Sequence, residues 1–252
     1  MQWNNIKEQL ISFLKTEVSK AGLQRVTVGL SGGLDSAIVA ILCKEAFGKN
    51  MSCVLMPSHY SSEGSINHAL EVCEKFDIDY EIVEIAPMVE AHEKFMNNDK
   101  LRIGNFSARM RMSVLYDISA RDSSLVVGTS NKSEILLGYG TIFGDVACAI
   151  NPIGEMYKSD EFEFGKFLGV PESILGKRPS ADLWEGQSDE DELGYSYKQM
   201  DEVLKKLVDE GTSKEELVSN GVDEKLIDML VYRIKANAFK GKLPTIAKIK
   251  WS

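Results

Sequence analysis

The chain has 252 residues, 44% of them apolar and 8% aromatic, and a formal net charge of −9. That is enough apolar material for one sizeable core, so a single domain over residues 1–252 is the simplest expectation. The acidic balance argues against a broad grip on a phosphate backbone, and no apolar run is long enough to cross a bilayer, so neither a nucleic-acid nor a membrane partner is expected.

In chain order, residues 4–20 bring Ile6, Leu10, Phe13, Leu14 and Val18 near one face of a predicted helix, which Gly22 ends. Arg25 to Gly29 follows as a buried strand. Ser31-Gly32-Gly33 then supplies a turn where a ligand can approach the backbone without a Cβ in the way, and from Leu34 the apolar spacing becomes helical. The free N–H groups of such a helix start, at the positive end of its dipole, form an anion site, and Ser31 and Ser36 add hydroxyls. Asp35 places a carboxylate where a phosphate would sit. It is repelled unless a divalent cation stands between them, so the loop predicts phosphate accompanied by a metal ion.

Met51 to Met56 forms a second strand stopped by Pro57, Ser61 to Phe76 a helix, and Tyr80 to Ile85 a third strand. From Met88 to Ala120 the pattern is helical with a break near residues 97–100; Arg109 and Arg111, two apart, point to different sides. Leu125 to Thr129 is the fourth strand. Strands alternating with crossovers of this length predict an α/β fold, a parallel sheet with helices on both faces. Ligands gather at the carboxyl ends of such strands, so the loops Ser31-Gly-Gly and Gly128-Thr-Ser-Asn are expected to share one crevice.

The short helix Asn131 to Leu137 carries Glu134 about one turn in, within reach of an ion held by Asp35; a carboxylate near a helix start is also favourable in itself. A glycine-punctuated loop spans residues 138–144, and Lys158 precedes a helix from Asp160 to Leu168. After Pro171 and Lys177 to Leu183, an acidic stretch through Glu192 shows no apolar periodicity and is expected to be a loop. Amphipathic helices are predicted near 196–210, 213–219 and 223–238. Cys43, Cys53, Cys73 and Cys148 are far apart, with no Cys-x-x-Cys, which suits reduced core thiols in a cytoplasmic protein. His59, His68 and His92 are equally scattered.

The loop is neither of two familiar phosphate binders. No Lys-Ser or Lys-Thr follows its glycines as in a Walker loop, and Gly138, Gly140 and Gly144 have the wrong spacing for a dinucleotide fingerprint. Ser-Gly-Gly-x-Asp-Ser instead resembles the loop of enzymes that split ATP into AMP and pyrophosphate. With Asn105-x-x-Ala-Arg-Met-Arg111, Gly128-Thr-Ser-Asn-Lys-Ser-Glu134, Gly144-Asp145, Tyr157-Lys158, Pro179-Ser-Ala-Asp182 and Gln187 to Tyr195 in this order, nearly the whole chain resembles the ammonia-dependent NAD synthetases, N-type ATP pyrophosphatases.

That resemblance implies an adenine nucleotide alpha hydrolase-like fold, a Rossmann-type three-layer sandwich. It implies a homodimer that adenylates deamido-NAD with ATP and Mg²⁺, after which ammonia displaces AMP; no glutaminase domain is expected. Gly29, Leu30, Ser31, Gly32, Gly33, Leu34, Asp35 and Ser36 would hold the ATP phosphates. Asp35 and Glu134 would bind Mg²⁺; Thr129, Lys158 and Ser180 would contact ATP; Arg109 and Lys240 would contact deamido-NAD; Asp35, Glu134 and Lys158 would act in catalysis. Asp145, Asp182 or water would accept the protons of ammonia. Ile142 and Ala149 stand where many relatives have a Lys and an Asp for the dinucleotide. Other readings of the same residues are an ATP pyrophosphatase for a different carbonyl and a non-catalytic module that binds ATP or AMP.

Overall fold

The computed structural model describes residues 2–60, 63–180, 188–242 and 244–250. Helix α1 (Gln2–Lys20) leads into strand β1 (Arg25–Gly29), helix α2 (Leu34–Phe47), strand β2 (Met51–Leu55), helix α3 (Glu63–Lys75) and strand β3 (Tyr80–Ile82). Helices α4 (Ala86–Glu93) and α5 (Lys100–Asp122) then connect to strand β4 (Ser124–Val127). All pairings are parallel, in the order β3-β2-β1-β4. The chain leaves β1 in one direction and returns on its other side with β4. The order therefore reverses between these two strands, and their carboxyl ends splay open a crevice.

Strands β1, β2 and β4 have two buried faces, while the edge strand β3 exposes Tyr80 and Ile82. Val26, Val28, Cys53 and Leu55 join the core under α2, backed by α1 and helix α7 (Lys158–Leu168). Val54 faces the other way, into a cluster with Val89 of α4 and Ile103, Val114 and Ile118 of α5. Helix α2 is buried almost all round, from Leu34 and from Ser36 through Cys43, because it lies between the sheet and the outer helices. Helices therefore cover both sheet faces, as the sequence predicts.

A third cluster holds the C-terminal helices against α6 (Lys132–Leu137), through Leu137, Tyr197, Met200, Leu204, Ile227 and Leu230. These helices are α9 (Asp189–Leu193), α10 (Tyr197–Leu204), α11 (Lys214–Ser219) and α12 (Glu224–Asn237), with α8 (Glu172–Leu175) before them.

Several boundaries differ from expectation for local reasons. Strand β3 ends at Ile82 rather than Ile85, yet Val83 and Ile85 still donate to the carbonyls of Leu55 and Pro57, so the chain follows β2 beyond its last strand residue. The break between α4 and α5 falls at Asn97 and Asn98, both at positive φ, and Asp99 caps α5 through Arg102 N at 3.1 Å. The acidic stretch expected as a loop is partly helical: α9 begins on Asp189 and Glu190, carboxylates suited to the positive helix end, and buries Leu193. The predicted 196–210 helix is α10 continued by one π turn over Lys205–Asp209. The expected loop residues 183–187 lie outside the described residues. All four cysteines are free thiols, and among the described residues no helix is long and apolar enough to cross a membrane.

Candidate active site

A cleft with a cavity volume of about 540 Å³ opens at the carboxyl ends of β1 and β4. Every residue from Gly29 to Ser36 except Gly32 lines it, together with Thr129, Glu134, Lys158, Ser180 and Lys240. The two strand-end loops thus share one crevice. Gly32 has a different role: it sits at φ +82°, and a Cβ there would lie 2.0 Å from the Ser65 carbonyl oxygen on α3. Only glycine lets the loop pack against that helix.

Gly33 is the N-cap of α2 and makes no side-chain cap, so the helix start presents uncapped N–H groups toward the cleft. The two serines brace this turn. Ser36 Oγ donates to Gly33 O at 3.0 Å and accepts from Ser31 N at 3.2 Å, while the two hydroxyls lie 3.0 Å apart. Both hydroxyls therefore shape the loop.

Asp35 is the hub of the site. Its Oδ1 accepts from Asn131 Nδ2 at 2.7 Å, and its Oδ2 pairs with the Lys158 ammonium. Burial would raise the Asp35 pKa; the Lys158 charge and the hydrogen bonds outweigh it and hold the carboxyl down at about 2. Lys158, itself buried, stays protonated: burial opposes its charge, and the carboxylates of Asp35, Glu161 and Glu134 more than restore it.

Asn131 ties the two loops together. It caps α6 by accepting from Glu134 N at 2.9 Å, while Glu134 Oε2 accepts from Asn131 N at 3.3 Å, a reciprocal capping box. Glu134 is thus both a helix-start carboxylate and a neighbour of Asp35. Burial, then the Asp35 charge, push its pKa well above the usual range. The Asn-x-x-Glu spacing signals this cap in the sequence, although Asn131 carries no role in the reading above.

Lys158 is aimed by a second buried carboxylate, Asp201 of α10. Asp201 accepts from Ser133 Oγ at 2.6 Å and from Ser159 N at 2.8 Å, and Ser133 Oγ in turn accepts from Lys158 N at 3.0 Å. One side chain so fixes the first turns of α6 and α7, which carry Glu134 and Lys158. Glu161 of α7 stands 3.6 Å from the Lys158 ammonium and is completely buried. Its spacing from Lys158 is i, i+3, one helical face, a signal present in the sequence but shared by many surface pairs.

Farther along the cleft, Arg111 lines the wall and donates from Nε to Met56 O at 3.0 Å. Arg109 leaves α5 on another side, outside the lining, and donates to Ile142 O at 3.3 Å. The Lys240 amine holds the glycine loop by bonding Gly138 O at 2.7 Å and Gly140 O at 3.0 Å; burial lowers its pKa. Arg233 lines the cleft as well. Asp145 accepts from Thr141 N at 2.9 Å, and Asp182 lies outside the described residues.

Among the described residues no three His, Cys, Asp or Glu side chains converge as a self-sufficient metal centre. Asp35 and Glu134 still suit Mg²⁺, which is commonly bound by one or two carboxylates plus substrate phosphates. Glu161, buried beside them, fits the same conclusion, since three carboxyls, those of Asp35, Glu134 and Glu161, gather around the single ammonium of Lys158.

The parallel sheet, its switch point and the glycine turn before α2 define a Rossmann-like α/β protein. The NAD synthase family model matches residues 6–244. The chain belongs to that family. The NH(3)-dependent NAD(+) synthetase of Wolinella succinogenes is 51% identical over 96% of this chain and 95% of its own length. Its counterpart from Helicobacter pylori is 50% identical over 95% and 94%. The solved NH3-dependent NAD synthetase of Campylobacter jejuni superposes with a TM-score of 0.85 at 43% identity, covering 98% of this chain and all of that one. The NMN synthetase of Francisella tularensis superposes with a TM-score of 0.88 at 31% identity, covering 99% and 100%.

Proposed function

We propose that this protein is the ammonia-dependent ligase that converts deamido-NAD to NAD: ATP adenylates the nicotinate carboxylate with release of pyrophosphate, and ammonia displaces AMP to form the amide. Family membership and full-length relatives near 50% identity support the activity. The observation that carries the site is the convergence of Asp35, Glu134 and Lys158 at the open start of α2. A single catalytic domain over residues 1–252, a homodimeric state and a cytoplasmic location complete the proposal.

The first step brings a carboxylate onto the α-phosphorus of a polyanion, so charge must be neutralised where it accumulates. The N–H groups at the start of α2 would hold the phosphates that leave as pyrophosphate, and Lys158 would stabilise charge on the oxygens around the reacting phosphorus. Mg²⁺, held by Asp35 and Glu134, would supply Lewis-acid neutralisation. Gly32 keeps the loop backed onto α3, and Asp201 keeps Lys158 pointed inward. Thr129 and Ser180 complete the ATP side. The carboxylate nucleophile is already ionised and needs no base; in the second step ammonia must lose protons, for which Asp145, Asp182 and water remain the proposed acceptors.

The dinucleotide side is assigned to Arg109 and Lys240. Replacement of the usual Lys and Asp by Ile142 and Ala149 leaves the cationic wall to other groups, of which Arg111 and Arg233 line the cleft. An Arg109→Ala variant is expected to raise KM for deamido-NAD about ten-fold while changing KM for ATP little. Equal effects on both would return Arg109 to holding the Ile142 loop.

The activity is tested with ATP, Mg²⁺, ammonium and deamido-NAD, measuring NAD and pyrophosphate together. Stoichiometric appearance of both supports the ligase. Parallel reactions with the acid form of NMN test whether this chain instead makes the product in the Francisella relative's name, and ATP binding without turnover would favour a non-catalytic nucleotide module.

A further inference from the structure

We propose that Glu161 is a positioning residue for Lys158, the second acceptor on which the ammonium rests when the Asp35 carboxylate is engaged by the metal ion accompanying ATP. This rests on the ligase reading above.

Glu161 is 0% exposed, and neither of its carboxyl oxygens has a hydrogen-bond partner. It lies 3.6 Å from the Lys158 ammonium and directly against the Asp35 carboxyl, with which it can share a proton but which offers it no N–H donor. Burial, then the Asp35 charge, push its pKa well up, against the pull of Lys158. A buried carboxyl set against another carboxylate does not favour folding; an apolar side chain of similar length would fill the same buried position at least as well. The fold therefore gives no reason for a carboxyl here.

The site does give one. Asp35 Oδ2 holds Lys158 and Oδ1 holds Asn131, so both oxygens are committed. A metal ion that takes this carboxylate competes with the ammonium for it. Among the described residues Glu161 is the other carboxylate within ion-pair distance of Lys158, and it sits on the same helix three residues along. Transfer of the ammonium from Asp35 to Glu161 keeps Lys158 in the cleft. Without it, the freed lysine loses its anchor at the moment the phosphates arrive.

Glu161→Met and Glu161→Gln distinguish this role from packing. Lys158 keeps Asp35 in the ligand-free state, so both variants are expected to melt at or above the native temperature. In the Met variant, affinity for a non-hydrolysable ATP analogue with Mg²⁺ is expected to fall about ten-fold, with KM for deamido-NAD nearly unchanged. Gln, which retains an acceptor oxygen, is expected to recover most of the affinity. Unchanged analogue affinity in the Met variant overturns the proposal, and so does a fall in melting temperature that accompanies lost affinity in both variants. If the native chain binds the analogue but makes no NAD, the ligase reading fails, while the binding comparison still decides the role of Glu161.

Discussion

Asp35→Asn is expected to lower pyrophosphate release by about three orders of magnitude or more while the protein keeps its fold. Asparagine preserves the shape of the side chain and can still accept from Asn131 Nδ2, so the link between the two strand-end loops survives. What is lost is the negative charge. Lys158 keeps Glu161 at 3.6 Å, which limits the structural damage. A near-ultraviolet circular dichroism spectrum like that of the native chain, with no turnover at ordinary Mg²⁺ concentrations, is the anticipated pair of results. Activity persisting at such concentrations would mean that this carboxylate is not what brings the ion to ATP.

Lys158→Met should be as damaging to turnover, by about two to three orders of magnitude, and unlike Asp35→Asn it should also damage stability. The ammonium is shared by Asp35 and Glu161, and Glu134 feels its charge. Its removal leaves buried carboxyls facing one another, a loss of about 3 kcal/mol or more. The cost depends on pH. Glu134 and Glu161 already have raised pKa values in the folded chain, and Asp35, now held down by Lys158, would join them. A group whose folded pKa lies above its unfolded value favours folding at low pH and loses that contribution as pH rises. The melting temperature of the variant should therefore fall progressively below that of the native chain as pH rises from about 4, the ordinary carboxylate range, toward 8. A gap independent of pH would show that these carboxyls do not depend on Lys158.

The parts of the fold written in local pattern were legible in the sequence. Four strands, their parallel arrangement and the turn at Ser31-Gly32-Gly33 follow from apolar runs, crossover length and glycine. The break before α5 was visible as an interruption, although its cause, two left-handed asparagines and an Asp99 cap, was not assigned. Helix α9 was missed because five residues with four carboxylates give no apolar period; its support comes from its own positive end and from Leu193 in a distant cluster.

The site divides in the same way. Asp35, Glu134 and Lys158 follow from motif and spacing, and they do converge. Asn131 escaped because its two amide partners come from a capping box and from the first turn of α2, 96 residues earlier. Asp201 and Glu161 escaped because nothing in a single sequence separates a buried carboxyl from the solvated ones around it. Their importance exists only once helices from distant parts of the chain meet.

Asp201 also bears on how the molecule can be divided. Because this one carboxyl pins the starts of both helices that carry Lys158 and Glu134, the C-terminal helices act as a jig for the half of the site proposed to hold ATP as well as a cover. A fragment ending before α10 would retain the glycine turn, Asp35, Glu134 and Lys158, and would satisfy a motif search in full. It would lack the clamp that sets the lysine and the second carboxylate at their working separation. Recombining such fragments among relatives should succeed only where the partner to Ser133 and Ser159 is carried across with them.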